Sequence, residues 1–410
     1  MDTLSPESLV VHTGKHTARP DYTPICTPIH NAVTYTYDDV HTLDEVFAGT
    51  RHGYVYHRHG NPTVAALEEA VAALEETDAV VASASGMAAI HLALLAAGVT
   101  TGSTILAADD LYGGTHALLT RVFRAQGVHV HTVDTNDLAA VSNAIAQASP
   151  TAVLVETISN PLLKITDIPS VAHLTHAAGA SLIVDNTFAV PCLYHPAPDG
   201  ADYVVYSATK YHGGHGDAMG GLIAASAERS HAVRELQKLV GGTLGPNEAW
   251  LILRGLKTLI LRARQQCQNA LTVARFLTSH PRVHHVYYPG LPTHSQFTLA
   301  RRLLPGDLYG GIVSFEIKGA DREEVFGFMN ALQLVTAATS LGDVCSLILY
   351  PAHSSHRALS DQERQSIGIR PNLLRLSVGI EEASDIIADL AQALGATSQP
   401  QPEKHLDSRP

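Results

Sequence analysis

Ser181-Leu182-Ile183-Val184-Asp185 and Tyr203-Val204-Val205-Tyr206-Ser207-Ala208-Thr209-Lys210 decide the architecture of this chain. Each is a short apolar run that ends in residues carrying carboxylate, hydroxyl or amine groups. A strand that is apolar on both faces needs helices over both, as in a parallel sheet. Four earlier runs repeat the pattern: Ala79-Val80-Val81-Ala82, Thr104-Ile105-Leu106-Ala107, Val128-His129-Val130 and Ala152-Val153-Leu154-Val155. Helix-like stretches separate them, so an α/β fold with a mostly parallel, doubly wound sheet is predicted. Ligands of such sheets lie beyond the carboxyl ends of the strands. Ser85-Gly86, Glu156, Asp185 and the Ser207–Lys210 segment all fall at such ends and are expected to converge on one site.

Outward from this sheet the pattern changes. After about Gly245 the apolar spacing is helical, with Pro246 suited to a first turn. A smaller α+β domain is expected beyond, including strands at Ile312–Ile317 and Leu374–Val378, whose alternation fits one covered face. The implied division is an N-terminal arm over residues 1–60, a large domain over 61–250, a small domain over 251–395 and a disordered tail over 396–410, rich in Gln, Pro and charge. The most apolar run, Ala88 to Val99, contains His91 and is far shorter than the roughly 20 residues of a membrane span. It reads as a buried helix. No basic start followed by an apolar stretch opens the sequence, so a cytoplasmic protein is expected.

The formal charge is −12, and the basic residues are scattered, which disfavours nucleic acid as a partner and favours a small molecule. Cys26, Cys192, Cys267 and Cys345 are far apart and form no CxxC pair; free thiols are expected.

Ser207-Ala208-Thr209-Lys210 places two hydroxyls and a lysine where a strand meets a glycine-rich loop. Hydroxyls suit a phosphate, and a lysine amine suits an aldehyde once burial beside a cation has lowered its pKa. Taken alone Lys210 would be a solvated loop lysine, but Asp185 changes the weighing. A carboxylate ending an all-apolar strand is costly unless it meets a cation. The protonated ring nitrogen of pyridoxal 5′-phosphate (PLP) is such a cation, and PLP enzymes use an aspartate there. Ser85-Gly86-Met87 opens a helix, where unpaired N–H groups and the helix dipole attract phosphate. Tyr112 follows another strand and can lay its ring on the cofactor.

Tyr56-His57-Arg58-His59-Gly60-Asn61-Pro62-Thr63, Ser85-Gly86-Met87, Leu111-Tyr112-Gly113-Gly114-Thr115, Val184-Asp185-Asn186-Thr187, Ser207-Ala208-Thr209-Lys210-Tyr211, Leu253-Arg254-Gly255-Leu256-Lys257-Thr258-Leu259 and Leu374-Arg375-Leu376-Ser377-Val378-Gly379 run in order through the chain. Together they resemble the Cys/Met-metabolism family of PLP enzymes, which includes cystathionine γ-synthase, cystathionine γ-lyase, methionine γ-lyase and O-acetylhomoserine sulfhydrylase. The resemblance implies a PLP type I fold and a homodimer as active unit, doubled to a homotetramer. Tyr56 and Arg58 would then reach a neighbour's cofactor phosphate. Ser85, Gly86, Met87, Ser207 and Thr209 would form the phosphate cup, Asp185 would hold the ring nitrogen, and Lys210 would carry the cofactor. Arg375 would clamp the substrate α-carboxylate, with Asn160 and Ser340 beside it, and Tyr112 would move protons.

Departures from the family pattern bear on substrate. Relatives that handle cystathionine tend to carry a glutamate just before the serine of the Ser-Leu-Gly stretch; Thr339 stands there. That favours a substrate without a distal ammonium, such as methionine, homocysteine or an O-acyl homoserine. Methionine γ-lyases typically have cysteine where this chain has Gly114, and His353 replaces a small hydroxyl residue. The expectation is γ-elimination on a methionine-like amino acid, giving 2-oxobutanoate, ammonia and a thiol. The alternatives are γ-replacement on an O-acyl homoserine and cystathionine γ-lysis. A different class, a metal module built on His212, His215 and Asp217, is disfavoured by the flexible glycines between the histidines. A PLP-binding protein without turnover is disfavoured by Tyr112 and Arg375.

Overall fold

A computed structural model of the chain describes residues 23–304, 306–354, 357 and 360–396. The tail expected over 396–410 lies outside these residues apart from Ala396, which ends the last helix.

Seven strands form the first sheet: β1 (Ala79–Ser83), β2 (Thr104–Ala108), β3 (His129–Val133), β4 (Ala152–Glu156), β5 (Ser181–Asp185), β6 (Tyr203–Ser207) and β7 (Gly221–Ala225). Their spatial order is β1-β7-β6-β5-β4-β2-β3. Every pair is parallel except those made by β7, which runs antiparallel between β1 and β6. All six predicted runs are strands. Gly221-Leu222-Ile223-Ala224-Ala225 was not among them, because two alanines and a glycine give little β signal; its place comes from pairing on both sides.

Successive side chains of the inner strands point to opposite cores. Leu182 and Val184 enter one cluster and Ile183 the other, and Val153 and Val155 are likewise separated from Ala152 and Leu154. Helices Gly86–Ala96 and Ile168–Ala177 belong to these opposite faces. The strands are therefore apolar throughout because no face meets water. Helix Pro62–Glu75 starts with proline after Asn61, whose Oδ1 accepts from the backbone N–H groups of Thr63 at 2.9 Å and Val64 at 3.3 Å. Helix Pro246–Leu256 begins on the proline expected and packs against it; residue 250 lies within that helix.

The second sheet holds β8 (Val283–Tyr287), β9 (Ile312–Ile317), β10 (Thr336–Ala337), β11 (Leu347–Leu349) and β12 (Leu373–Ser377), ordered β10-β11-β12-β9-β8. The alternation of β9 and β12 predicts one covered face, and the structure corrects this: every residue of both strands is buried. The polar face of β9 and β12 leans on the first unit. Ser314 Oγ donates to the carbonyl of Pro161 at 2.6 Å, in the loop beyond β4, and Arg375 Nη1 donates to Asn160 Oδ1 in the same loop at 3.1 Å, while Ser377 Oγ accepts from Gly342 N at 2.9 Å within the second unit. One continuous apolar core runs from Leu106 and Val184 of the first sheet to Phe315 and Leu376 of the second.

Among the described residues no helix is long and apolar enough to cross a membrane. The four cysteines are free.

Candidate active site

Where the carboxyl ends of the first sheet meet the polar face of the second lies a cavity of about 450 Å³. Ser85, Gly86, Met87, Tyr112, Asn160, Asp185, Ser207, Thr209, Lys210 and Arg375 all line it, so ten sequence-predicted residues from six separate segments converge. Ser340 adjoins them through its hydroxyl, which accepts from Lys210 Nζ at 3.1 Å. Tyr56 and Arg58 do not line it. Arg58 Nη1 donates to the carbonyl of Lys238, its guanidinium lies 5.6 Å from the Tyr56 ring centre, and Tyr56 is 41% exposed.

Each side chain is placed by its local structure. β6 ends at Ser207, and Lys210 follows in a tight turn closed by Lys210 N donating to Ser207 O at 3.1 Å. Burial, and then the cation of Arg375, lowers the Lys210 ammonium to about 8. Arg375 sits mid-strand in β12 and is 3% exposed; burial brings even its guanidinium down to about 10. Its Nη1 donates to Asn160 Oδ1 at 3.1 Å and its Nη2 to the carbonyl of Ser340 at 3.0 Å. Its Nε is buried without a hydrogen-bond partner among the described residues. Ser340 thus touches both cations, the lysine through its hydroxyl and the arginine through its backbone.

Asp185 closes β5 opposite Glu156 of β4 in the sheet register. Burial raises its carboxyl, while Thr187 counters by donating its backbone N–H at 2.9 Å and its hydroxyl at 2.5 Å, both to Oδ1. The Thr187 hydroxyl also accepts from Ser207 N at 2.9 Å, tying the aspartate to the lysine segment. Beneath it, Asn186 accepts from Thr157 Oγ1 at 2.7 Å and donates to Tyr206 OH at 2.7 Å. Glu156, noted in sequence only as a polar strand end, is buried, and burial together with Asp185 drives its carboxyl well above the usual range. Its Oε1 accepts from Tyr112 N at 2.6 Å. Glu156 and Thr187 are the residues that sequence reasoning left without a role. Their signal was present, a carboxylate and a hydroxyl at the ends of buried strands.

The mouth of helix Gly86–Ala96 faces the cavity. Ser85 is its N-cap, with Oγ accepting from Ala88 N at 3.2 Å, and Gly86 lies directly against Ser207. A Cβ at position 86 would come within 2.9 Å of Ser207 Cβ, so glycine is required for this approach. Thr209 exchanges bonds with Gly220: its hydroxyl accepts from Gly220 N at 3.0 Å and donates to Gly220 O at 3.3 Å. The free backbone donors of Gly86 and Met87 beside the Ser207 hydroxyl therefore make up the most available part of the cup.

These residues fit PLP. The cup suits its phosphate, the depressed lysine its aldehyde, and Asp185, whose hydrogen bonds use one oxygen, its ring nitrogen. When bound, the cofactor supplies an electron sink for charge developing on the substrate. The His212 and His215 alternative does not take shape as a cluster. His212 is buried with its ring 4.7 Å from that of Tyr206, and His215 Nδ1 lies 2.7 Å from the carbonyl of Gly213. Among the described residues no three His, Cys, Asp or Glu side chains are grouped to hold a metal.

Known proteins agree with this reading. Over 387 residues the chain is 41% identical to an L-methionine gamma-lyase of Fusobacterium nucleatum subsp. nucleatum, covering 94% of this chain and 96% of that protein. It is 43% identical over 364 residues to a cystathionine gamma-lyase of Bacillus subtilis, covering 88% and 94%. The solved cystathionine gamma synthase of Xanthomonas oryzae pv. oryzae, in complex with aminoacrylate and cysteine, superposes with a TM-score of 0.87 at 38% identity, covering 93% of this chain and 95% of that one. Residues 7–395 match the family described as Cys/Met metabolism PLP-dependent enzyme. With that match spanning the whole cavity and both sheets, this chain belongs to the Cys/Met metabolism family of PLP-dependent enzymes, which eliminate or replace substituents at the γ-carbon of amino acids.

Proposed function

We propose that this enzyme carries out γ-elimination on a methionine-like amino acid, releasing 2-oxobutanoate, ammonia and a thiol. The observation that carries the reading is the wall facing the substrate's distal end. Thr339, Leu341 and Leu349 line it together with Ile158 and Phe188, and among the described residues Arg375 is the only charge that the second sheet contributes. A thioether is accommodated there, whereas a distal ammonium would meet no carboxylate among the described residues of this wall, the cavity's acids Glu156 and Asp185 standing at the strand ends of the first sheet.

Each role follows from position. Arg375, held at two nitrogens by Asn160 and Ser340, binds the α-carboxylate as a planar fork. Lys210 Nζ carries the cofactor at rest; once released by the incoming amine it takes the proton from Cα and then one from Cβ. Tyr112, fixed at its backbone by Glu156, passes a proton to the departing sulfur. Asp185 keeps the ring nitrogen protonated. Ser85, Gly86, Met87, Ser207 and Thr209 hold the phosphate.

Tyr56 and Arg58 act in a second copy of the chain. What supports this is that they stand away from their own cavity, in a segment that also exposes Val33, Val40 and Phe47. Such an apolar surface suits burial against a partner, and the active unit is a homodimer, paired into a homotetramer in the cytoplasm. The arm over 1–60, the large unit over 61–250 and the small unit over 251–395 are the corresponding divisions.

One observation favours γ-replacement on an O-acyl homoserine as a second reading. A side chain at Gly114 would meet the Tyr112 ring, with Cβ only 2.5 Å from Cε1, so the cysteine of typical methionine γ-lyases has no room in this arrangement. Incubation with L-methionine, scored for 2-oxobutanoate and methanethiol, separates the two. Keto acid and thiol in equal amounts are expected; a thioether product from O-acetylhomoserine plus thiol, with no keto acid from methionine, would establish replacement instead.

A further inference from the structure

The ladder between β5 and β6 stops short of the residues that serve the cavity. Its last paired residues are Asp185 and Val205, and one further backbone bond, from Asn186 N to the carbonyl of Val205 at 3.0 Å, closes it. Beyond that point side chains join the two strand ends. On the cavity side the Thr187 hydroxyl bridges Asp185 and Ser207. On the far side the link is made by Asn186 and Tyr206, which adjoin Asp185 and Ser207 in sequence and do not line the cavity. Tyr206 instead enters the apolar cluster under helix Pro62–Glu75.

A buried row of hydrogen bonds runs through these two residues. Thr157 Oγ1 donates to Asn186 Oδ1 at 2.7 Å, Asn186 Nδ2 donates to Tyr206 OH at 2.7 Å, and the Tyr206 hydroxyl donates to Glu75 Oε1. All the donors run in one direction, an arrangement in which each bond strengthens the next. Each of the four residues is at most 1% exposed, so water cannot stand in for a missing member. His212, two residues beyond Lys210, sets its ring 4.7 Å from that of Tyr206, so the same phenol also touches the lysine segment.

Glu75 is the unexpected member. A buried acid is costly, and apolar packing alone would have covered β6. Its Oε2 has no hydrogen-bond partner among the described residues. Burial, and then Glu76, raise its carboxyl to about 8, so at neutral pH it stands there uncharged and needs no cation. The cofactor gives such a row a use. Its phosphate and ring nitrogen belong to one rigid molecule, so acid and cup must be held at a set separation, to within about 0.5 Å.

We propose that Tyr206, anchored by Glu75, is a positioning residue for the cofactor: through Asn186 it fixes Asp185 against Ser207, and so the ring-nitrogen acid against the phosphate cup. The inference rests on the assignment of Asp185 to the ring nitrogen and of Ser207 to the phosphate.

The test is a double-mutant cycle read as the dissociation constant of PLP from the full-length enzyme, titrated by absorbance. Tyr206→Phe retains the ring and removes the hydroxyl; Kd should rise about tenfold, as the loss of a buried hydrogen bond implies. In an Asp185→Asn background the same change should cost no more than about twofold, because the charge it would misplace is gone. A role confined to packing would cost the same in both backgrounds. Glu75→Leu should repeat the effect of Tyr206→Phe, and Glu75→Gln, which retains an acceptor for the hydroxyl, should restore affinity to within about twofold. That pair keeps the test decisive if Tyr206→Phe does not fold. Equal costs of Tyr206→Phe with and without Asp185→Asn, or a Tyr206→Phe enzyme that holds PLP as tightly as the unaltered protein, would overturn the inference and leave the cofactor site intact. An Asp185→Asn enzyme with unchanged affinity and unchanged kcat would instead remove the ring-nitrogen assignment, and the inference with it.

Discussion

The two sheets serve one cavity in opposite ways. In the first sheet the residues that point into the site stand at strand ends: Glu156 on β4, Asp185 on β5 and Ser207 on β6. In the second, Arg375 stands in the middle of β12, flanked on β9 by Ser314 and on its own strand by Ser377. Helices cover the first sheet on both faces, so only its edge is open to a ligand. The second sheet has one face on its own helices and, through Ser314 and Arg375, part of the other against the first unit, so a mid-strand residue such as Arg375 is both buried and turned into the site. Chemistry in a doubly covered sheet is therefore confined to its rim, whereas a sheet lying against another unit can place a charge mid-strand.

The sharpest way to break this comparison is at the rim. Lys210→Ala should lose covalent retention of the cofactor and at least about a thousandfold of turnover. Borohydride trapping followed by mass analysis of the Lys210 peptide checks the first effect, and keto acid release the second. Asp185→Asn retains the hydrogen-bonding shape but removes the charge; kcat should fall about a hundredfold with the cofactor still bound. An Asp185→Asn enzyme with unchanged kcat would show that the rim carboxylate is structural.

Mid-strand, Arg375→Lys retains the charge and loses the fork. KM for the amino acid should rise about tenfold or more, with a smaller change in kcat. The two sheets are also coupled through charge. Capture of the cofactor by the apoenzyme needs neutral Lys210, so its rate should rise with pH through about 8. Arg375 contributes to that lowered value by repelling the ammonium; Arg375→Gln relieves the repulsion, stabilises the ammonium and should move the midpoint to higher pH, as stopped-flow absorbance would show. The smallest effect is expected at Glu316, on the polar face of β9 but away from the cavity. It accepts from Tyr287 OH at 2.7 Å and lies 3.5 Å from exposed Arg370. Glu316→Gln keeps an acceptor for Tyr287 and removes a fully buried charge whose partner Arg370 stays solvated, so it should cost no more than about 2 kcal/mol in denaturant unfolding and leave KM unchanged.

The contrast also explains what could be read in advance. β4, β5 and β6 were legible because burial on both faces writes an unbroken apolar run, and a polar residue ending such a run stands out. Lys210, Asp185 and Ser207 were found in this way. β7 was not, since Gly221-Leu222-Ile223-Ala224-Ala225 has weak intrinsic preference and is a strand only because β1 and β6 flank it. The alternation of β12 was visible, but it is the same whether the polar face meets water or a second unit. Arg375 was singled out through family resemblance, and its burial became evident only with the other unit in place. Glu156 illustrates a partial reading: its position was legible, but its bond to the Tyr112 backbone depends on a loop that returns from another strand.

By itself, then, the sequence determined the covered strands, their order along the chain and the groups at their ends, because local apolarity and periodicity reflect how each segment is solvated. Tertiary structure alone decided that Ser340 would touch both Lys210 and Arg375 and that β9 and β12 would be buried on both faces. Those facts concern distances between residues remote in sequence. They are set by how two separately covered sheets pack against one another, and no pattern within either sheet records that packing.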